Sequence, residues 1–209
     1  MKDSIKNIIF DFGGVVFHID ERRTVAAFSQ LLQCPPEEIL RYIFHNDIFY
    51  KLECGQISFD DFRKYMCQKA NVEVSEDKFL TAWNAILVGY PEEHIPLLLA
   101  LKKKYRTFLL SNTNAPHTQY FSHIAKQQNL PIQSNYELFE KVYYSNELGM
   151  RKPDPNIYKY ALNDANLKPE ETLFVDDLLV NVEGAKAVGI NAIQVTKERG
   201  IVQIFSDWI

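Results

Sequence analysis

The chain predicts an α/β fold: a doubly wound, mostly parallel sheet with a helical bundle inserted after its first strand. Three observations carry this. Short apolar runs at 8–10, 107–110 and 172–175 are bounded by turn residues, as buried parallel strands are. Helical patterns alternate with such runs through the second half of the chain. Between about 20 and 90 the alternation stops, and apolar residues recur only at helical spacing.

The first run, 8–10, ends at Asp11, with Gly13 and Gly14 close behind. In the inserted segment Phe59, Phe62 and Met66, then Phe79, Trp83 and Ile86, mark helix faces. Pro36 before Glu37 and Glu38 suits a first helical turn. Ser58 and Asp61 are spaced as a capping pair, and Ser75 precedes a further helical run. About four helices are expected there. The connections fall near 17–20 and 88–92, where Gly89 and Pro91 punctuate the chain. Beyond them, helices are expected at roughly 93–104, 116–128, 154–166 and 180–188, with further strands at Lys141–Tyr144 and 192–195. The division is therefore 1–17 and 93–209 for the α/β core, and 18–92 for the insert. The insert's aromatics, among them Phe44, Phe49, Tyr50, Phe62, Tyr65 and Trp83, read mainly as packing. Ile204, Phe205, Trp208 and Ile209 are expected to pack on the core or on a partner.

At 209 residues the chain has room for a core and a smaller insert, and 46% apolar residues are ample to fill them. A net charge of −4 without a long basic run argues against nucleic acid as a partner. The three cysteines, Cys34, Cys54 and Cys67, have no metal-ligand spacing and read as free thiols in a reducing compartment. Residues 1–7 are polar, and no signal peptide or membrane-length apolar stretch is evident. These features point to a cytoplasmic enzyme without a membrane partner, as a monomer or homodimer.

Candidate chemistry gathers at the ends of the apolar runs. Residues 8–16 read Ile-Ile-Phe-Asp-Phe-Gly-Gly-Val-Val, 107–114 read Thr-Phe-Leu-Leu-Ser-Asn-Thr-Asn, 149–155 read Gly-Met-Arg-Lys-Pro-Asp-Pro, and 172–177 read Thr-Leu-Phe-Val-Asp-Asp. Open α/β sheets bind ligands at the carboxyl ends of their strands. Arg151 and Lys152 stand just before a helix start, where the helix dipole disfavours cations unless an anion is bound. Two adjacent acids, Asp176 and Asp177, repel each other unless a cation joins them. Asp177 could also simply cap the helix that follows.

The order Asp, Ser, Lys, Asp-Asp resembles the four motifs of the haloacid dehalogenase superfamily, and the resemblance spans nearly the whole chain. It implies a Rossmann-like core, a mobile helical cap that closes over the site, and magnesium-dependent hydrolysis of a small phosphate ester through an aspartyl-phosphate. It assigns Asp11 as nucleophile, and Ser111, Asn112 (by its backbone N–H) and Lys152 as phosphate-binding groups. Magnesium would be held by Asp11, the Gly13 carbonyl and the Asp176–Asp177 pair, Asp177 directly and Asp176 from further out. Asn181 is a candidate to orient these acids.

The chain departs from the superfamily's usual phosphatases at Gly13, where they carry an Asp that protonates the leaving group. Asp11-Phe12-Gly13-Gly14-Val15 is similar to the branch containing bacterial α-D-glucose-1-phosphate phosphatases and the N-terminal phosphatase domain of soluble epoxide hydrolase. This favours a sugar phosphate as substrate. His18, His45 and Asp47 are candidate replacements for the missing acid. Alternatives are a phosphate-binding pseudophosphatase, or carbon–halogen or carbon–phosphorus hydrolysis on the same core, the latter with Lys51 as a Schiff base.

Overall fold

The computed structural model describes residues 2–44 and 47–209, so His45 lies outside the described residues. The first part of the chain forms β1 (Asn7–Phe10), β2 (His18–Ile19), α1 (Glu21–Leu32), α2 (Pro36–Phe44), α3 (Ile48–Glu53), α4 (Phe59–Ala70), α5 (Glu76–Asn84) and β3 (Leu87–Gly89). The second part alternates: α6 (His94–Lys102), β4 (Arg106–Ser111), α7 (Ala115–Gln127), β5 (Lys141–Tyr144), α8 (Ser145–Leu148), α9 (Pro155–Asp164), β6 (Thr172–Asp176), α10 (Leu179–Ala187), β7 (Asn191–Gln194) and α11 (Ile201–Ile204).

Five strands form one parallel sheet in the order β5-β4-β1-β6-β7. Its three central strands, β4, β1 and β6, are buried on both faces, which is why they read as continuous apolar runs rather than as alternating ones. Successive side chains still part to opposite layers. Ile8 and Phe10 join one apolar layer with Leu98 of α6 and Phe121 of α7, while Ile9 joins the other with Ile157 of α9 and Ala185 of α10. Helices on both faces make the sheet doubly wound, as expected. Ile204, Phe205 and Trp208 pack into the first layer, so the C-terminal apolar group belongs to the core.

The inserted segment holds five described helices rather than about four. The additional one, α3, spans only six residues, too few for a helical period to stand out. Phe28, Ile39, Phe62, Phe79 and Trp83 form a separate apolar cluster among these helices. The Ser58–Asp61 capping box is present, with Ser58 Oγ accepting from the Asp61 N–H at 3.1 Å and Asp61 Oδ2 accepting from the Ser58 N–H at 3.0 Å. Such a cap is worth about 1 kcal/mol. The two connections are not loops throughout: β2 and β3 pair antiparallel as a short ribbon between sheet and bundle. Strands of two and three residues leave no pattern in a sequence.

Candidate active site

The strand order itself selects the place. From β1 the chain passes to β4 and β5 on one side and later to β6 and β7 on the other, so β1 is the switch point where a crevice opens. Asp11 follows β1, Ser111 ends β4 and Asp176 ends β6. Lys152 comes from the loop between α8 and α9 and is fully buried among them.

Its ammonium joins the motifs directly. Lys152 Nζ donates to Asp11 Oδ1 at 2.5 Å and to Asp176 Oδ2 at 2.7 Å, over the Phe174 ring at 5.3 Å from its centroid. Burial alone would depress this lysine, but the two carboxylates outweigh it and hold it above its ordinary value. Asp11 is pushed up to about 7, by burial first and then by Asp176 and Asp177, against the pull of Lys152. Asp177 is raised as well, by burial and by Asp176.

The two adjacent acids differ in what surrounds them. Asp176 accepts from the Leu178 N–H at 2.9 Å, from Lys152, and from Asn181 Nδ2 at 3.0 and 3.1 Å. It is Asp176, not Asp177, that ties down the start of α10. Among the described residues no other side chain donates to the Asp177 carboxylate. Gly14, at φ +82°, lies against it, and a Cβ at that position would fall on the carboxylate. The position therefore requires glycine both for its backbone and for the space.

Asn112 contributes through its side chain. Its Oδ1 accepts from the Lys152 N–H at 2.8 Å and its Nδ2 donates to the Lys152 carbonyl at 2.9 Å, which clamps the loop that carries Lys152. Asn114 caps α7 by accepting from the His117 N–H at 3.3 Å. The same oxygen accepts from Trp83 Nε1 at 3.0 Å, a bond from the bundle to the sheet edge.

A cavity of about 310 Å³ lies above these groups, lined by Asp11, Gly13, Ser111, Lys152 and Asp177 on the sheet side. Its bundle side is largely hydrocarbon: Val25, Leu40, Ile43, Phe44, Phe49 and Trp83. Two titratable groups lining the cavity were not anticipated from the sequence. Glu53, at the end of α3, is buried, with its carboxylate 2.9 Å from Arg151 Nη1. Burial pushes it up to about 7 although Arg151 and Lys152 pull it down. It stands four residues after Phe49 on the inward face, a carboxylate at an apolar register. His117, stacked on Trp83 with ring centroids 5.2 Å apart, is lowered to about 4 by burial.

Other expectations are corrected by position. Arg151, expected only as a cation before a helix start, pairs with Glu53 and covers the Tyr50 ring at 5.6 Å. His18 is exposed on β2 and Asp47 is exposed and paired with Lys51 at 2.7 Å; none of these three lines the cavity. Neither acid replacement drawn from the described residues, nor the Schiff-base lysine, is therefore placed to act.

The donor set fits a hard divalent cation. Carboxylate oxygens of Asp11, Asp176 and Asp177 lie within 4.8 Å of one another, and one ammonium faces all this negative charge. Oxygen ligands of this kind suit magnesium.

Comparison with known proteins agrees with this geometry. A model of haloacid dehalogenase-like hydrolases matches residues 5–189. The chain is 34% identical over 195 residues to a D-ribitol-5-phosphate phosphatase of Bacteroides thetaiotaomicron, covering 91% of each chain. It is 27% identical to a sesquiterpene phosphatase of Aspergillus oryzae, covering 94% of this chain and 92% of that one. A HAD family enzyme of Bacteroides thetaiotaomicron, solved with magnesium and inorganic phosphate, superposes with a TM-score of 0.84 at 32% identity, over 96% of this chain and 99% of that one. With four motifs converging on one crevice and a match along most of its length, the chain belongs to the haloacid dehalogenase-like hydrolases.

Proposed function

We propose that this hydrolase is a magnesium-dependent phosphomonoesterase, which cleaves a small phosphorylated metabolite through an aspartyl-phosphate on Asp11. The observation that carries the reading is the Lys152 bridge between Asp11 and Asp176, which leaves Asp177 as the carboxylate without a side-chain donor beside the nucleophile. Asp11, the Gly13 carbonyl and Asp177 would hold magnesium, with Asp176 behind them. Bound there, the cation neutralises phosphoryl charge that would otherwise repel an anionic nucleophile.

The chain's own residues supply the rest. An oxygen of Asp11 attacks phosphorus and the ester oxygen leaves. Lys152, Ser111 and the Asn112 N–H hold the phosphoryl oxygens as charge moves onto them. Asn112 keeps Lys152 in register through its two bonds to that residue's backbone. Water then cleaves the aspartyl-phosphate and restores the Asp11 carboxylate. The inserted bundle, residues 18–92, acts as a cap over the site, which excludes bulk water and selects the leaving group.

For the substrate, the similarity to a ribitol-phosphate phosphatase over nearly both whole chains supports a sugar or sugar-alcohol phosphate. The hydrocarbon lining of the bundle favours a second reading, an apolar alcohol phosphate, in line with the sesquiterpene phosphatase relative. The carbon–halogen alternative has less support because the acidic cluster is intact, and the pseudophosphatase has less because the relatives over nearly the whole chain are phosphatases.

The test is phosphate release from a panel of sugar, sugar-alcohol and prenyl phosphates, with magnesium and with chelator, and with Asp11→Asn alongside. Magnesium-dependent release that the substitution abolishes is expected, and the panel ranks the two substrate readings. Folded wild-type protein that releases nothing from any member with magnesium present would sink the proposal.

A further inference from the structure

An alkyl phosphate expels its alcohol slowly unless a proton reaches the departing oxygen. Gly13 offers none. The space beside it is held by Ile19, whose Cδ1 would lie 3.2 Å from a Cβ at that position. In an in-line displacement the leaving oxygen lies opposite the attacking one. Asp11 attacks from the sheet, so the leaving oxygen faces the bundle.

The titratable side chains around the cavity narrow the choice. Asp11 and Asp177 belong to the sheet edge, and Arg151 and Lys152 are cations. Glu21 is exposed in the first turn of α1. His117 is uncharged at neutral pH, because burial holds it near 4. Glu53 remains. It is buried on the bundle wall, and its Oε2 lies 2.9 Å from Arg151 Nη1 as an ion pair while accepting no hydrogen bond.

We propose that Glu53 is the general acid and then the general base of this site, in place of the side chain absent at position 13. The inference rests on the phosphatase reading above. In the first step the Asp11–phosphorus bond forms, the phosphorus–ester oxygen bond breaks, and the Glu53 carboxyl proton passes to that oxygen, so a neutral alcohol departs. In the second, the Glu53 carboxylate takes a proton from water as the water oxygen bonds phosphorus. The Asp11–phosphorus bond breaks, phosphate leaves, and both carboxyl groups return to their starting states. The required proton is on Glu53 up to about pH 7, since burial outweighs the pull of Arg151 and Lys152. Beside these cations, the titratable groups near it are Tyr50 and Cys54 on its own segment and Asp154 beyond the Arg151 loop.

The experiment compares wild type, Glu53→Gln and Glu53→Asp on an alkyl phosphate and on p-nitrophenyl phosphate, with magnesium and rapid-quench sampling. Glu53→Gln is expected to lower alkyl phosphate turnover by about 100-fold or more. Nitrophenol, a good leaving group, should still appear in a burst of one equivalent, with a first-turnover rate within about threefold of wild type. The steady state after the burst should be slow, because the base of the second step is gone. Glu53→Asp should recover part of the alkyl phosphate rate, and the fall in wild-type rate above about pH 7 should be missing from Glu53→Gln. Equal first-turnover losses on both substrates, or no loss on the alkyl phosphate, would overturn the assignment. A wild-type enzyme inert on both would overturn the phosphatase reading instead.

Discussion

On the sheet side of the cavity, Asp11, Asp176 and Lys152 are each held by named partners, and Asp176 accepts from three residues at once. On the bundle side, six hydrocarbon side chains face the same space with one buried carboxylate among them. The difference is physical. Chemistry on a phosphoryl group needs charges fixed to within fractions of an ångström, and only backbone-anchored, mutually bonded groups achieve that. Selecting a leaving group needs shape and exclusion of water, which apolar side chains on short helices provide and which tolerate exchange.

The largest effect that separates the two walls is expected at the nucleophile. Asp11→Asn should cost about 10⁴-fold or more in phosphate release, with the circular dichroism spectrum unchanged. A variant that retains turnover would displace the chemistry from this crevice. Asn112→Ala comes next. It breaks both bonds to the Lys152 backbone and leaves partly buried groups unpaired, worth about 1–3 kcal/mol, or roughly 10- to 100-fold in kcat/KM. If Lys152 needs no such anchoring, kcat/KM will stay near wild type. On the other wall, Phe44→Ala removes a half-exposed ring that rests on Phe49 at 5.4 Å. It should change KM between polar and prenyl phosphates by only a few-fold, leave kcat close to wild type, and alter stability by less than about 0.5 kcal/mol. A collapse of kcat in this variant would mean that the ring positions the reacting groups rather than only lining the cavity.

The smallest effects are read in stability against pH, where the two walls act in opposite senses. His117, on the sheet-side helix α7, is lowered to about 4 in the folded chain from an ordinary value of 6.5. Its contribution is complete above about pH 6.5 and is lost as pH falls toward 4. Glu53 is raised from 4.5 to about 7, so its contribution is complete below about pH 4.5 and is lost as pH rises through 7. Each amounts to about 3 kcal/mol across its window. Urea unfolding from pH 4.5 to 7.5 should show His117→Phe less favoured than wild type by rising pH, and Glu53→Gln more favoured. Parallel curves for all three proteins would mean that neither side chain is buried in solution as described.

Much of the sheet wall was legible beforehand. Asp11, Ser111, Lys152, Asp176 and Asp177 each sit at the end of an apolar run or just before a helix start, positions that one-dimensional patterns mark. Asn181 was readable as a partner of the acids, and its amide does bond Asp176. Arg151 was readable only as a cation placed before a helix start, without its partner. Its partner, Glu53, lies about a hundred positions earlier, on a helix too short to show a period. The β2–β3 ribbon and the helix α8 escaped for the same reason of length.

The sequence by itself determined the alternation of strand and helix, the insertion after β1, the order of the motifs and the absence of an acid at position 13. These are local: burial of a parallel strand demands an apolar run, and a turn or helix start demands particular residues beside it. Only the tertiary structure decided which acid is saturated by donors and which has no side-chain donor, since that depends on the Leu178 N–H, Asn181 and Lys152 converging on Asp176. It alone also decided that Glu53 faces the sheet across the cavity and holds its proton to about pH 7. A carboxyl group's proton affinity is set by the burial and the charges around it, and those are contributed by residues far apart in the chain.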